Sequence, residues 1–119
     1  HGTPAMYHNC GQVMALVDSY KELGVRVAEP FSPYPLGDAD LEKVKQQVDG
    51  AYIILSGIDQ VNVLQKGTMD EVKRATEKAI KIGKPGGKFI LQPVDFLEYG
   101  TPIENVAAYV RTALEYAAY

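Results

Sequence analysis

Cysteine occurs once in these 119 residues. A single thiol cannot close an internal disulfide, and that usage fits a reducing, cytoplasmic setting. Histidine is almost as scarce, with two copies. No apolar run approaches the roughly 18 residues of a membrane-spanning helix, and no signal peptide is legible. Positive charge is not in excess: 12 Lys and Arg stand against 15 Asp and Glu, for a formal net charge of -3. That balance argues against a nucleic-acid partner held by phosphate contacts. A nucleophile elbow is missing. So is a phosphate-binding glycine loop: Gly83-Lys84-Pro85-Gly86-Gly87 precedes a strand rather than a helix and reads as a turn. There is no initiator methionine, and the first strand begins almost at once, which reads as a piece of a longer chain.

What is there suits one soluble domain in length and in apolar and charged content. Residues 5–7 read as a first strand. A helix over 12–23 follows, with Val13, Leu16, Val17, Tyr20 and Leu23 on one face and Gly24 as its C-terminal stop. Residues 25–29 are a second strand. A proline-rich loop leads to Asp38, which is placed to cap a second helix carrying Leu41, Val44 and Val48. The continuous apolar run over 51–56 suits a parallel strand covered on both faces. Residues 57–67 read as a loop. Thr68-Met69-Asp70-Glu71 is a capping box that starts a third helix, with Val72, Ala75, Thr76, Ala79 and Ile80 inward. Residues 88–92 are a fourth strand. Thr101-Pro102-Ile103-Glu104 reads as a second capping box, opening a helix with Ile103, Val106, Ala107, Val110 and Leu114 as its core stripe.

Four alternating βα units imply an α/β fold with a parallel sheet and right-handed crossovers. The strands then point one way, and the residues after them share a rim where α/β folds bind ligands. To that rim the sequence brings Tyr7, His8, Asn9 and Cys10, then Glu29 and Ser32, then Ser56, Gly57 and Asp59, then Gln92 and Asp95. His8 and Cys10 supply two of the ligand types zinc accepts, and Asp95 is a candidate third that leaves a position open. Tyr7, Glu29, Ser56 and Asp59 are candidate substrate contacts. Each also has a plain structural reading: Asp59 and Asp95 as turn caps, Glu29 as a solvated strand end.

Four blocks carry a resemblance: His8-Asn9-Cys10-Gly11, Ile54-Leu55-Ser56-Gly57-Ile58-Asp59, Gly86-Gly87-Lys88-Phe89-Ile90-Leu91, and Thr101-Pro102-Ile103-Glu104-Asn105-Val106. Together they resemble the uroporphyrinogen decarboxylase family, across essentially the whole chain. That superfamily includes the cobalamin-dependent methyltransferases of coenzyme M. The resemblance implies a (β/α)8 barrel much longer than this chain, with residues 1–119 as a single C-terminal half-barrel, strands five to eight. The alternative for the fold is an open, flavodoxin-like sheet. In the zinc methyltransferase branch a His-x-Cys after strand five and a Cys after strand eight hold zinc, which activates a thiol. His8 and Cys10 match the first part, and the third position falls on Asp95. In the decarboxylase branch a histidine lies near that same position.

The reading so reached is a segment of a corrinoid-dependent, zinc-using methyltransferase, its corrinoid carried by a partner protein. A porphyrinogen decarboxylase segment and a non-catalytic half-barrel module are the alternatives. Unpaired strand edges and exposed apolar side chains imply a homodimer, the first strand of each copy meeting the fourth of the other.

Overall fold

In a computed structural model, which describes residues 2–118, four strands form one parallel sheet in sequential order. They are β1 (Met6–His8), β2 (Val27–Glu29), β3 (Ile53–Ile58) and β4 (Phe89–Pro93). Met6 and His8 lie level with Val27 and Glu29, Val27 with Ile53, and Gly57 with Gln92. Between the strands run α1 (Val17–Glu22), α2 (Leu41–Val48) and α3 (Met69–Gly83), and α4 (Ile103–Tyr116) closes the chain. The helices touch one another in chain order, α1 on α2, α2 on α3, α3 on α4. That is a single layer on one face of the sheet, as right-handed crossovers between sequential strands require. The open-sheet alternative, with helices on both faces, is therefore set aside.

Side chains alternate across the sheet. Ala28, Ile54 and Ile58 are buried on the helix side, in a core built with Val17, Tyr20, Val44, Val48, Tyr52, Leu64 and Val72. The other face carries Met6, His8, Glu29, Leu55, Ile90 and Gln92, and there Met6 is 54% and Ile90 48% exposed. The rim at the strand C-termini thus tops a sheet face that, among the described residues, no helix covers. Among the described residues no helix is long and apolar enough to cross a membrane.

Several local expectations shift. The first helix is shorter than 12–23: a 3-10 turn at Met14–Leu16 precedes α1, and Leu23 is largely exposed. Asp38 does not cap α2. Its Oδ1 accepts from the amides of Val13 and Met14, pinning the start of the first helical turn. Asp40 caps α2 instead, accepting from Glu42 and Lys43. The segment 57–67 is not all loop. β3 runs on to Ile58, and a π-helical turn, Gln60–Gln65, follows. The capping box at Thr68 and Glu71 forms in full. The second does not: α4 has no side-chain cap, and the Thr101 hydroxyl donates to the Glu98 carbonyl.

The largest departure is α4. Its buried residues are Asn105, Ala108 and Thr112, whereas Ile103 and Leu114 are 70% and 72% exposed. The Asn105 amide donates to the carbonyls of Leu64 and Gly67. Those two bonds seat the helix with Ala108 and Tyr109 against the core, and Ile103, Val110 and Leu114 of the expected stripe are left outward.

Candidate functional site

β1 is three residues long, with all three side chains exposed. His8 is its last residue, and register sets it beside Glu29, the last residue of β2. The backbone continues the pairing for one step, Asn9 N–H donating to the Glu29 carbonyl at 2.8 Å. This fixes where His8 ends and where Cys10 turns back. The imidazole Nδ1 lies 3.1 Å from Glu29 Oε1, and Nε2 lies 3.0 Å from Cys10 Sγ. From the far side of the sheet, Asp95 brings Oδ2 to 3.4 Å from the same sulfur. Its other oxygen accepts from the Phe96 amide at 2.8 Å, which holds the carboxylate in place. Residues from β1, β2 and the loop after β4 so form one connected chain of polar contacts.

The protonation logic is constrained. A carboxylate only accepts, so the proton between His8 and Glu29 belongs on Nδ1. In the neutral ring Nε2 is then a bare acceptor. Cys10 Sγ faces two acceptors, Nε2 and Asp95 Oδ2, with one proton to give. Burial pushes the thiol pKa up, and the hydrogen bond and charge of Asp95, with the charge of Glu29, push it further. The sulfur therefore keeps its proton while no cation is near. Among the described residues no three His, Cys, Asp or Glu side chains are already set as a ligand cage. The three donor types nonetheless match those zinc accepts: an imidazole nitrogen held by a carboxylate behind it, a thiol and a carboxylate oxygen.

The remaining candidates separate from this group. Ser56 is 1% exposed and donates to the Phe31 carbonyl at 2.9 Å. Asp59 is 4% exposed. One oxygen accepts from the amides of Val61 and Asn62, the other from the Asn62 side chain, so it is an N-cap for the π-helical turn. Both polar ends are held by bonds within the fold. Tyr7 points away from the rim, its ring 5.0 Å from that of Tyr20 under the sheet. Glu29 alone of these four touches the His8–Cys10 pair. Gln92 joins it from β4, its amide donating to Glu29 Oε2 at 3.1 Å. Sequence reading names Gln92 as a strand end without a task. The signal was its place level with Gly57, the one position in β3 with no side chain to block the reach.

Three likenesses to known proteins bear on this geometry. A family model described as uroporphyrinogen decarboxylase (URO-D) matches residues 1–116. A methylated-thiol–coenzyme M methyltransferase of Methanosarcina mazei is 28% identical over 112 residues, covering 94% of this chain and 28% of that protein. Among solved structures, a methyltransferase from Methanosarcina mazei superposes with a TM-score of 0.78 at 20% identity, over 98% of this chain and 32% of its own. The chain spans less than a third of the length of either relative. The structural likeness identifies the four units with a TIM-barrel-type fold.

Proposed function

The chain belongs to the uroporphyrinogen decarboxylase family, and from that footing we propose that it is the C-terminal half-barrel of a corrinoid-dependent methyltransferase with a zinc-activated thiol acceptor. His8, Cys10 and Asp95 are the proposed zinc ligands. The supporting observation is the pair of contacts at Cys10 Sγ, to His8 Nε2 at 3.0 Å and to Asp95 Oδ2 at 3.4 Å. Three electron-pair donors share one proton there, and a divalent cation in its place would satisfy all three. Bound zinc would supply Lewis acidity, lowering the pKa of an acceptor thiol so that it can take a methyl group. The chain's own share is to hold that site. Glu29 keeps the His8 proton on Nδ1 and so leaves Nε2 free. Cys10 gives up its proton on metal binding. Asp95, oriented by the Phe96 amide, completes a set that leaves one position for the thiol. Glu29 and Gln92 border the open rim and are the polar groups a thiol substrate would meet.

The methyl donor in this reading is a corrinoid on a partner protein, and the setting is cytoplasmic. The rest of the rim comes from a second copy: β1 of one chain pairs with β4 of the other, and the exposed α4 stripe is covered. The decarboxylase reading draws on the family's name alone. By the resemblance, that branch carries a histidine where this chain has Asp95.

Protein purified without chelator is expected to carry near-stoichiometric zinc by elemental analysis, and Cys10→Ala to lose it. A parent protein with no more zinc than Cys10→Ala sinks the methyltransferase reading and leaves the metal-free decarboxylase one. Asp95→Cys, which installs a softer ligand, is expected to hold zinc more tightly than the parent in a chelator competition.

A further inference from the structure

We propose that Gln92 is a positioning residue: acting through Glu29 across the intervening strand, it sets which nitrogen of His8 faces Cys10. The inference deepens the zinc reading and rests on it for its consequence in metal binding. The geometry stands apart from it.

Gln92 lies on β4 and Glu29 on β2, with β3 between them. Adjacent strands are about 4.8 Å apart, so a contact between alternate strands must span about twice that. Long side chains achieve it only where the middle strand does not intrude. The β3 residue level with Gln92 is Gly57. A Cβ there would lie 2.1 Å from the Gln92 carbonyl oxygen, so the position accepts no side chain without moving β4. Over this gap the Gln92 amide donates to Glu29 Oε2 at 3.1 Å. The carboxylate is thereby held at both ends, Oε2 by Gln92 and Oε1 by His8 Nδ1 at 3.1 Å. Its side chain is 18% exposed, so little solvent competes for those oxygens.

The consequence is chemical. A neutral imidazole has one N–H. While Glu29 Oε1 is fixed beside Nδ1, that proton stays on Nδ1, and Nε2 presents a lone pair toward Sγ. Without Gln92 the carboxylate loses a donor and is free to swing toward water. His8, whose side chain is half exposed, then has no partner selecting its tautomer. Protonation at Nε2 would turn the would-be ligand atom into a donor. A serine, valine or methionine at this position could not do the same work. The reach needs a long side chain, and the partner needs an N–H.

The test reads the tautomer directly. Metal-free protein labelled at histidine nitrogen is observed by long-range proton–nitrogen correlation at mildly alkaline pH, with His8→Asn to assign the signals. The parent is expected in the Nδ1–H form. Gln92→Met and Gln92→Glu keep the length and remove the donor. Both are expected to move His8 toward the Nε2–H form with an unchanged far-ultraviolet circular dichroism spectrum. A parent already in the Nε2–H form, or an unchanged Nδ1–H pattern in whichever variant folds, overturns the proposal. Zinc titration of the same samples is separate. A parent that binds zinc should lose about tenfold in affinity in either variant, the lower end of what outer partners of a ligating histidine contribute. A parent that binds none removes the zinc reading and leaves the tautomer result to stand or fall alone.

Discussion

Among single residues, the carboxylates divide by what their oxygens already hold. Asp38, Asp40 and Asp59 each give Oδ1 to backbone amides. Asp95 and Glu29 each turn an oxygen toward the rim. Residue type and position after a strand were visible in the sequence, and that is why His8, Cys10, Glu29 and Asp95 could be named together. Whether a given oxygen is free depends on turns the sequence does not announce, so residue type and position alone group Ser56 and Asp59 with them. Asp59→Ala is accordingly expected to cost about 1–2 kcal/mol of folding stability and to leave zinc affinity unchanged, measured by denaturant titration and chelator competition. Thr68 offers a pH test. The Thr68 amide and then its hydroxyl, bonded to the Glu71 carboxylate, hold that carboxyl below its ordinary range. A pKa lowered by folding adds stability above the unfolded carboxylate range, and the gain is lost as pH falls through the folded value. Thr68→Ala is therefore expected to lower the denaturation midpoint near neutrality, with the difference from the parent shrinking in acid.

Among the elements, legibility tracked how local the signal was. The box at Thr68 and Glu71 lies within one turn, and α3 begins and ends where its sequence says, at Met69 and Gly83. The box at Thr101 and Glu104 has the same spelling and does not close. Thr101 instead bonds the preceding turn, through Glu98. The apolar periodicity of α4 is real, but periodicity names a face without saying what lies opposite it. Tertiary bonds from Asn105 to Leu64 and Gly67 decide the matter. Asn105→Ala should strand both carbonyls and cost about 1–3 kcal/mol, read as a lower denaturation midpoint. Gly57→Ala forces backbone against side chain between β3 and β4. An expected loss of about 1–3 kcal/mol should come with loss of the Gln92–Glu29 bond, visible in the same histidine spectra.

In the whole molecule, the question is what meets the uncovered surfaces. Among the described residues β1 pairs only with β2, and β4 only with β3. Beside β4 an apolar hollow of about 330 Å³ is lined by Phe89, Leu91, Tyr109, Val110 and Leu114, among others. Strand edges and apolar hollows of this kind draw partners. Sedimentation at micromolar concentration is expected to give a dimer, and Leu114→Glu with Val110→Glu to give a monomer of unchanged secondary structure. A parent that sediments as a monomer rules out the paired barrel.

The sequential strand order also writes a timetable. Each strand docks on its predecessor, so ordering can follow synthesis from one βα unit to the next. The strand held least is the first in the chain. β1 contributes three exposed residues and leans on β2 alone. Its amides should exchange with deuterium faster than those of β3, the most deeply held strand. The strand bearing His8 and leading into Cys10 is thus the one most easily released. Whatever binds at the rim would act as its clasp, and slower exchange of the β1 amides on adding zinc is the sign to look for.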